Sequence, residues 1–237
     1  MRHSDSGCSA HHHSCAAAGS VQACVSIVPI FNHLEPVQLE QIMETVQSAT
    51  YKKGETIYRA GEKSDSLYIV HKGSVKIYRL SASGKEHMVS LLHPGDFTGE
   101  YALFSESIHE SYGEALEETQ MCIIQRDDIH AFLEKYPAIS LKILQEFSQK
   151  LERSEKQTAY FATEKVETRI ALYLVELADK LSSGKTVVLP MSRKDLAAYL
   201  GTTPETISRK IADLEAQGLL KQLSKKKLEI LDVDGLL

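Results

Sequence analysis

Six glycines from Gly54 to Gly99 (Gly54, Gly61, Gly73, Gly84, Gly95 and Gly99) cut one stretch of the chain into short pieces. The pieces, and the run after them, are strand-like: Ser66-Leu-Tyr-Ile-Val, Ser74-Val-Lys-Ile-Tyr-Arg-Leu and Gln120-Met-Cys-Ile-Ile. Turn signals at intervals of roughly ten residues leave no room for a long helix. Short strands with tight turns must cover their apolar faces with one another, so residues from Thr50 to Gln125 are expected to form a β-barrel or jelly roll.

The flanks follow a different period. Leu39, Ile42, Met43 and Val46 predict a short helix over 35–48. From Asp127 to about Ala162 the pattern is helical again. Ile139, Ile143, Phe147 and Leu151 form a stripe four residues apart. A long helix with a narrow apolar seam is a candidate dimer interface, the alternative being packing on its own barrel. A chain of 237 residues suits two domains. The expected class is α+β: a Cys- and His-rich leader over 1–24, a sensor domain over 25–135, a dimerisation helix over 136–162 and a second domain over 163–237.

The second domain carries the clearest motif. Ser192 is placed to cap a helix whose inner face is Leu196, Ala197 and Leu200. Gly201 suits the left-handed position that ends it. Thr203 caps the next helix, with Pro204 at its first position, and Ile207, Ile211 and Leu214 point inward. Glu205, Ser208 and Arg209 then share the outer face of its N-terminal half, the part of a helix-turn-helix that enters the major groove. Arginine pairs with guanine and glutamate accepts from cytosine. Two short strands around Leu219-Leu220 and Leu228-Glu-Ile-Leu make a wing with Lys225, Lys226 and Lys227 at its tip. A helical hairpin that only packs is the competing reading, and the wing and dimer seam weigh against it. Net charge is −5 overall, yet from Glu164 onward there are 12 Lys and Arg against 11 Asp and Glu, with 15 against 21 before it. Local basic clusters matter more for phosphate binding than that sum. Thr203, Thr206, Lys210 and Arg193 therefore join the expected DNA-binding set.

Glu205-Thr-Ile-Ser208-Arg209 resembles the recognition helix of the FNR branch of the Crp/Fnr family of transcription regulators. The cyclic-AMP receptor branch has Arg-Glu-x-x-Gly-Arg, from which Pro204 and Ser208 depart. The resemblance runs from Cys24 to the end. It implies a homodimer on a palindromic operator of the TTGAT…ATCAA type, with RNA polymerase as a further partner. Gly95-Asp-Phe-Thr-Gly-Glu100 is similar to the start of the family's cyclic-nucleotide cassette. Where nucleotide binders carry an Arg-Ser pair, this chain has Glu110-Ser111, and a carboxylate facing a phosphodiester disfavours a cyclic nucleotide.

The stretch from His109 to Cys122 resembles the FNR segment that ends in its internal cluster-ligating cysteine. With Cys8, Cys15 and Cys24, it implies four ligands for an iron–sulfur cluster, 4Fe-4S. The leader reads C-x6-C-x8-C, whereas the family has C-x2-C-x5-C, and His12 lies three residues before Cys15, so a mixed His/Cys site stays open. Cys24-Val-Ser-Ile-Val-Pro-Ile-Phe is also similar to the start of FNR-like proteins of lactic acid bacteria, and there the resemblance implies a Cys24–Cys122 disulfide. Zinc, and Cys122 as a small buried hydrophobe, complete the alternatives. The leader has no amphipathic period, and its His11-His12-His13 run is also compatible with a tag.

No Ser/His/Asp elbow, Walker loop or framed carboxylate pair points to an enzyme. No apolar stretch reaches a membrane span's length, and the N-terminus lacks a secretory h-region. The expectation is a cytoplasmic protein with no membrane partner.

Overall fold

The computed structural model describes residues 25–105, 107–181 and 186–236. Cys8, Cys15 and Cys24 lie outside them. Helix α1 (Pro36–Met43) precedes ten strands: β1 (Gln47–Tyr51), β2 (Thr56–Tyr58), β3 (Lys63–Ser64), β4 (Ser66–Lys72), β5 (Val75–Leu80), β6 (Glu86–Leu92), β7 (Phe97–Thr98), β8 (Ser107–Ile108), β9 (Tyr112–Ala115) and β10 (Thr119–Gln125). They pair antiparallel into sheets ordered β1-β10-β4-β7 and β2-β9-β5-β6, with β3-β8 as a small third. The strands do not close on themselves, so the sensor domain is a jelly-roll-like pair of sheets rather than a barrel.

Side-chain alternation on β4 and β10 explains the layering. Val70 and Met121 face the second sheet, beside Tyr58, Val75, Ile77 and Leu92. Leu67, Ile69, Cys122 and Ile124 face the other way, into a cluster with Val28, Phe31, Ile42 and Phe132. The first sheet is therefore apolar on both sides, and helices must cover what the second sheet leaves bare. Gly99 makes a close approach possible: its φ is +86°, and a Cβ there would lie 2.2 Å from the Ser66 carbonyl oxygen.

Two expected helices are shorter than the periodicity suggested. The helix expected over 35–48 ends at Met43, and by Gln47 the chain is already a strand paired with β10. The helix expected from Asp127 is two helices, α2 (Arg126–Lys135) and α3 (Ala138–Thr163). Pro137 separates them, because a proline pushes the residue before it out of the helical region; Tyr136 sits at φ −129°, ψ 75°.

The seam residues on α3 need correction. Ile139 and Ile143 are 1% and 2% exposed and belong to the sensor's own core, with Phe147 packed against it. Leu151 is 60% exposed. A spacing of four advances about 40° per step around a helix, so three steps turn the stripe by about 120°. It begins inside and ends outside. The outward leucines are Leu141, Leu144 and Leu151, the first two 70% and 61% exposed. Their spacings of three and seven residues keep them on one face of the helix.

After α3, α4 (Val166–Leu181) leads to β11 (Thr186–Val188), α5 (Arg193–Tyr199), α6 (Pro204–Ala216), β12 (Leu220–Gln222) and β13 (Lys227–Ile230). The last three strands form a sheet ordered β11-β13-β12. Ile143→Ala should destabilise the sensor domain by about 2–4 kcal/mol, the usual cost of emptying a buried site of this size. Urea unfolding checks this, and the variant's mass in solution should be unchanged.

Candidate nucleic-acid interface

Helices α5 and α6 are set by their ends. The Ser192 hydroxyl accepts from the Asp195 amide at 3.2 Å and starts α5. Gly201, at φ +66°, reverses the chain, and the Thr202 amide returns to the Ala197 carbonyl at 2.9 Å. The Thr203 hydroxyl then accepts from the Thr206 amide at 3.3 Å, and Pro204 opens α6. Arg169 of α4 donates to the Leu200 carbonyl at 2.7 Å, satisfying a group the end of α5 leaves open. Ile207, Ile211 and Leu214 are buried against Leu196, Ala197 and Ile170.

That packing turns Glu205, Ser208 and Arg209 outward, where all three are exposed. Arg209 enters no ion pair among the described residues. The Glu205 carboxyl is held below its usual range by its own backbone N–H and the Thr203 hydroxyl, so it stays ionised and accepts hydrogen bonds. Thr203 and Thr206 are committed to the cap.

Two of the expected basic contacts do other work. Lys210 pairs with Glu167 of α4 at 2.9 Å and with Asp213 at 3.4 Å, which raises its ammonium above the usual range. It joins α6 to α4. Arg193 donates to the Gln222 side chain at 2.7 Å and ties α5 to the wing. The wing tip is pinned by Ser224, whose hydroxyl accepts from the Lys226 and Lys227 amides at 3.3 and 3.1 Å. Lys225, Lys226 and Lys227 stay exposed.

In the sensor domain the cassette's acidic residues already have partners. Glu100 meets Lys150 of α3 at 2.9 Å, and Lys150 also donates to the Phe97 carbonyl at 2.9 Å. Sequence reasoning missed Lys150, since a lysine on a helix face carries no signal of what it reaches. Glu110 pairs with Arg79 at the surface. Inside, Tyr58 stacks on His109 at 3.9 Å between ring centroids and bonds Thr98 at 2.9 Å. Burial pushes the Tyr58 phenol up to about 12 and lowers the His109 imidazole.

Cys122 is 3% exposed and is disulfide-bonded, its partner lying outside the described residues. Val25, next in sequence to Cys24, is fully buried in the same cluster as Cys122. Among the described residues no group of His, Cys, Asp and Glu is arranged to hold a metal ion, and no helix is long and apolar enough to cross a membrane.

Comparison with known proteins adds the following. Residues 49–136 match the cyclic nucleotide-binding domain, and residues 168–237 match the Crp-like helix-turn-helix domain. The chain is 32% identical to the probable transcriptional regulator flp of Lacticaseibacillus casei, over 90% of this chain and 96% of that one. It is 29% identical to the anaerobic regulatory protein of Haemophilus influenzae, covering 98% and 88%. The solved structure of FixK2 from Bradyrhizobium japonicum superposes with a TM-score of 0.73 at 27% identity, covering 81% of this chain and 95% of that one.

Proposed function

This chain belongs to the Crp/Fnr family of transcription regulators, and from that premise we propose that it is a homodimeric, redox-responsive regulator that reads a TTGA-type palindrome. Its relatives are regulators rather than enzymes, and the helix-turn-helix makes it a DNA-binding protein. The observation that carries the sequence reading is the outward trio on α6. Glu205, Ser208 and Arg209 lie at the end proposed to enter the groove, with Arg209 in no ion pair among the described residues, while Lys210 and Arg193 brace the domain. The wing lysines Lys225 and Lys226 suit the flanking phosphates. RNA polymerase is the expected partner at a promoter.

The dimer reading moves to Leu141, Leu144 and Leu151. An exposed apolar row on a 26-residue helix suits the same row on a second copy.

For the signal, the residues present favour thiol–disulfide chemistry. A sulfur held in a disulfide is not a thiolate ligand. With Cys122 in a disulfide, this form does not offer its sulfur as one of the thiolates of an all-cysteine cluster, and we derive no step through one. The proposed pair is Cys24–Cys122, supported by the burial of Val25 in the same cluster as Cys122. Oxidation joins the two sulfurs, and two electrons and two protons pass to an oxidant such as a peroxide or a small disulfide. The bond would fix the leader to β10 in the cluster that also holds Ile139 and Ile143 at the root of α3. The name of the Haemophilus relative, an anaerobic regulatory protein, supports a redox signal. A cyclic nucleotide remains disfavoured, because Glu100 is engaged by Lys150 and Glu110 offers a carboxylate where a cation is needed.

Arg209→Ala should weaken binding to a TTGAT…ATCAA duplex by about 1–3 kcal/mol per half-site and relax specificity there. Titration at matched salt checks it, and an unchanged affinity rejects the readout. Leu144→Asp should shift the protein toward monomer in light scattering, since a buried unpaired carboxylate is costly. Cys122→Ser should abolish the response of DNA binding to oxidant with no iron in either protein. Iron and sulfide in anaerobically purified wild type, lost in the variant, would favour the cluster instead.

A further inference from the structure

The β5–β6 hairpin of the sensor touches the DNA-binding domain. Lys76 on β5 is the centre of the contact, with a side chain 6% exposed. Its ammonium lies 3.2 Å from Glu86 on β6, 3.2 Å from Glu114 on β9 and 3.7 Å from Asp195 on α5. Lys194 reaches back to Glu86 at 3.4 Å. Two carboxylates come from the sensor and the third from the other domain, so only docking completes the set. Burial alone would lower the Lys76 ammonium, but Glu114 and Glu86 outweigh it and hold it raised. Beside the charges, Met88, Leu91 and Leu116 of the sensor pack into the cluster that forms the DNA-binding domain's own core.

Open clefts flank this contact. A cleft of about 180 Å³ lies on one side, between Lys53, Gly54 and the Pro190–Ser192 segment. Another of about 290 Å³ lies on the other, between Gly84 and Lys85 at the hairpin tip and Thr202 and Pro204. Pro204 is the first residue of α6, and the hairpin tip therefore stands beside the end of the reading helix that must enter the groove.

We propose that the Lys76 cluster is a latch that holds the DNA-binding domain against the sensor hairpin in a form that resists DNA. The inference rests on the DNA-reading function argued above. Buried ion pairs add little net stability, but they fix one geometry and fail sharply when a partner is lost. A latch of this kind fixes the docked position at low cost and leaves the domain releasable. Asp195 is the reporter of docking, because Lys76 keeps its two sensor carboxylates when the domain leaves.

Lys76→Gln on the sensor side and Asp195→Asn on the other are tested in the full-length chain against a TTGAT…ATCAA duplex. Each should raise affinity about tenfold, with amide exchange in β6 and α5 speeding up. The double variant should add little to either single one, because both break the same contact. Lys76→Arg should restore the wild-type affinity. Should Lys76→Gln fail to fold, Asp195→Asn still decides. Folded variants that bind as wild type does, or more weakly, overturn the latch. Wild-type protein that ignores the palindrome refutes the operator assignment, while unchanged exchange in the variants would separately reject the latch.

Discussion

The structure depends on a sheet that needs cover on both faces. Strands β4 and β10 send Val70 and Met121 to one side and Leu67, Ile69, Cys122 and Ile124 to the other. The second sheet covers the first set. The other set needs a different cover, and the chain supplies it from both ends of the domain: the segment around Val28 and Phe31 from before the strands, and α2 with the root of α3 from after them. At roughly 25 cal/mol per Å² of apolar surface removed from water, this face outweighs any single polar contact in the domain.

That requirement also determines what α3 can do. Its first two turns are held by Ile139 and Ile143, so the helix leaves the domain at a fixed angle with Leu141, Leu144 and Leu151 facing out. Lys150 on the same helix binds Glu100 and the Phe97 carbonyl. The cassette that a nucleotide binder would use for its ligand is thus tied directly to the outgoing helix. Cys122 lies in the cluster beneath that root. A change at this sulfur and a change at the cassette would both reach α3 through packed side chains rather than through a loop, the physical condition for biasing a two-state element.

At the other end, α6 is positioned by a chain of small commitments: caps at Ser192 and Thr203, a left-handed Gly201, Arg169 on the Leu200 carbonyl, and Lys210 on Glu167. Each contributes modestly, and exposed ion pairs of this kind are worth little alone. Together they leave Arg209 exposed on the outer face of α6, with no ion pair among the described residues.

The sequence by itself determined the elements that depend on local chemistry. Glycines with positive φ at Gly54, Gly84 and Gly99 mark turns because few other residues adopt that backbone. The helix-turn-helix was legible residue by residue, since caps, a glycine turn and an inward apolar period are all properties of neighbours in the chain. Only the tertiary structure decided which face of α3 is inside, because a four-residue stripe drifts around the helix and nothing local says where burial ends. It separated Lys210 and Arg193 from Arg209, cations alike in sequence that differ only in whether a distant Glu167 or Gln222 lies within reach. It gathered Glu86, Glu114 and Asp195 around Lys76, a contact between residues up to 119 positions apart. Such a cluster leaves no trace in composition or period, since each of its members reads alone as an ordinary surface charge.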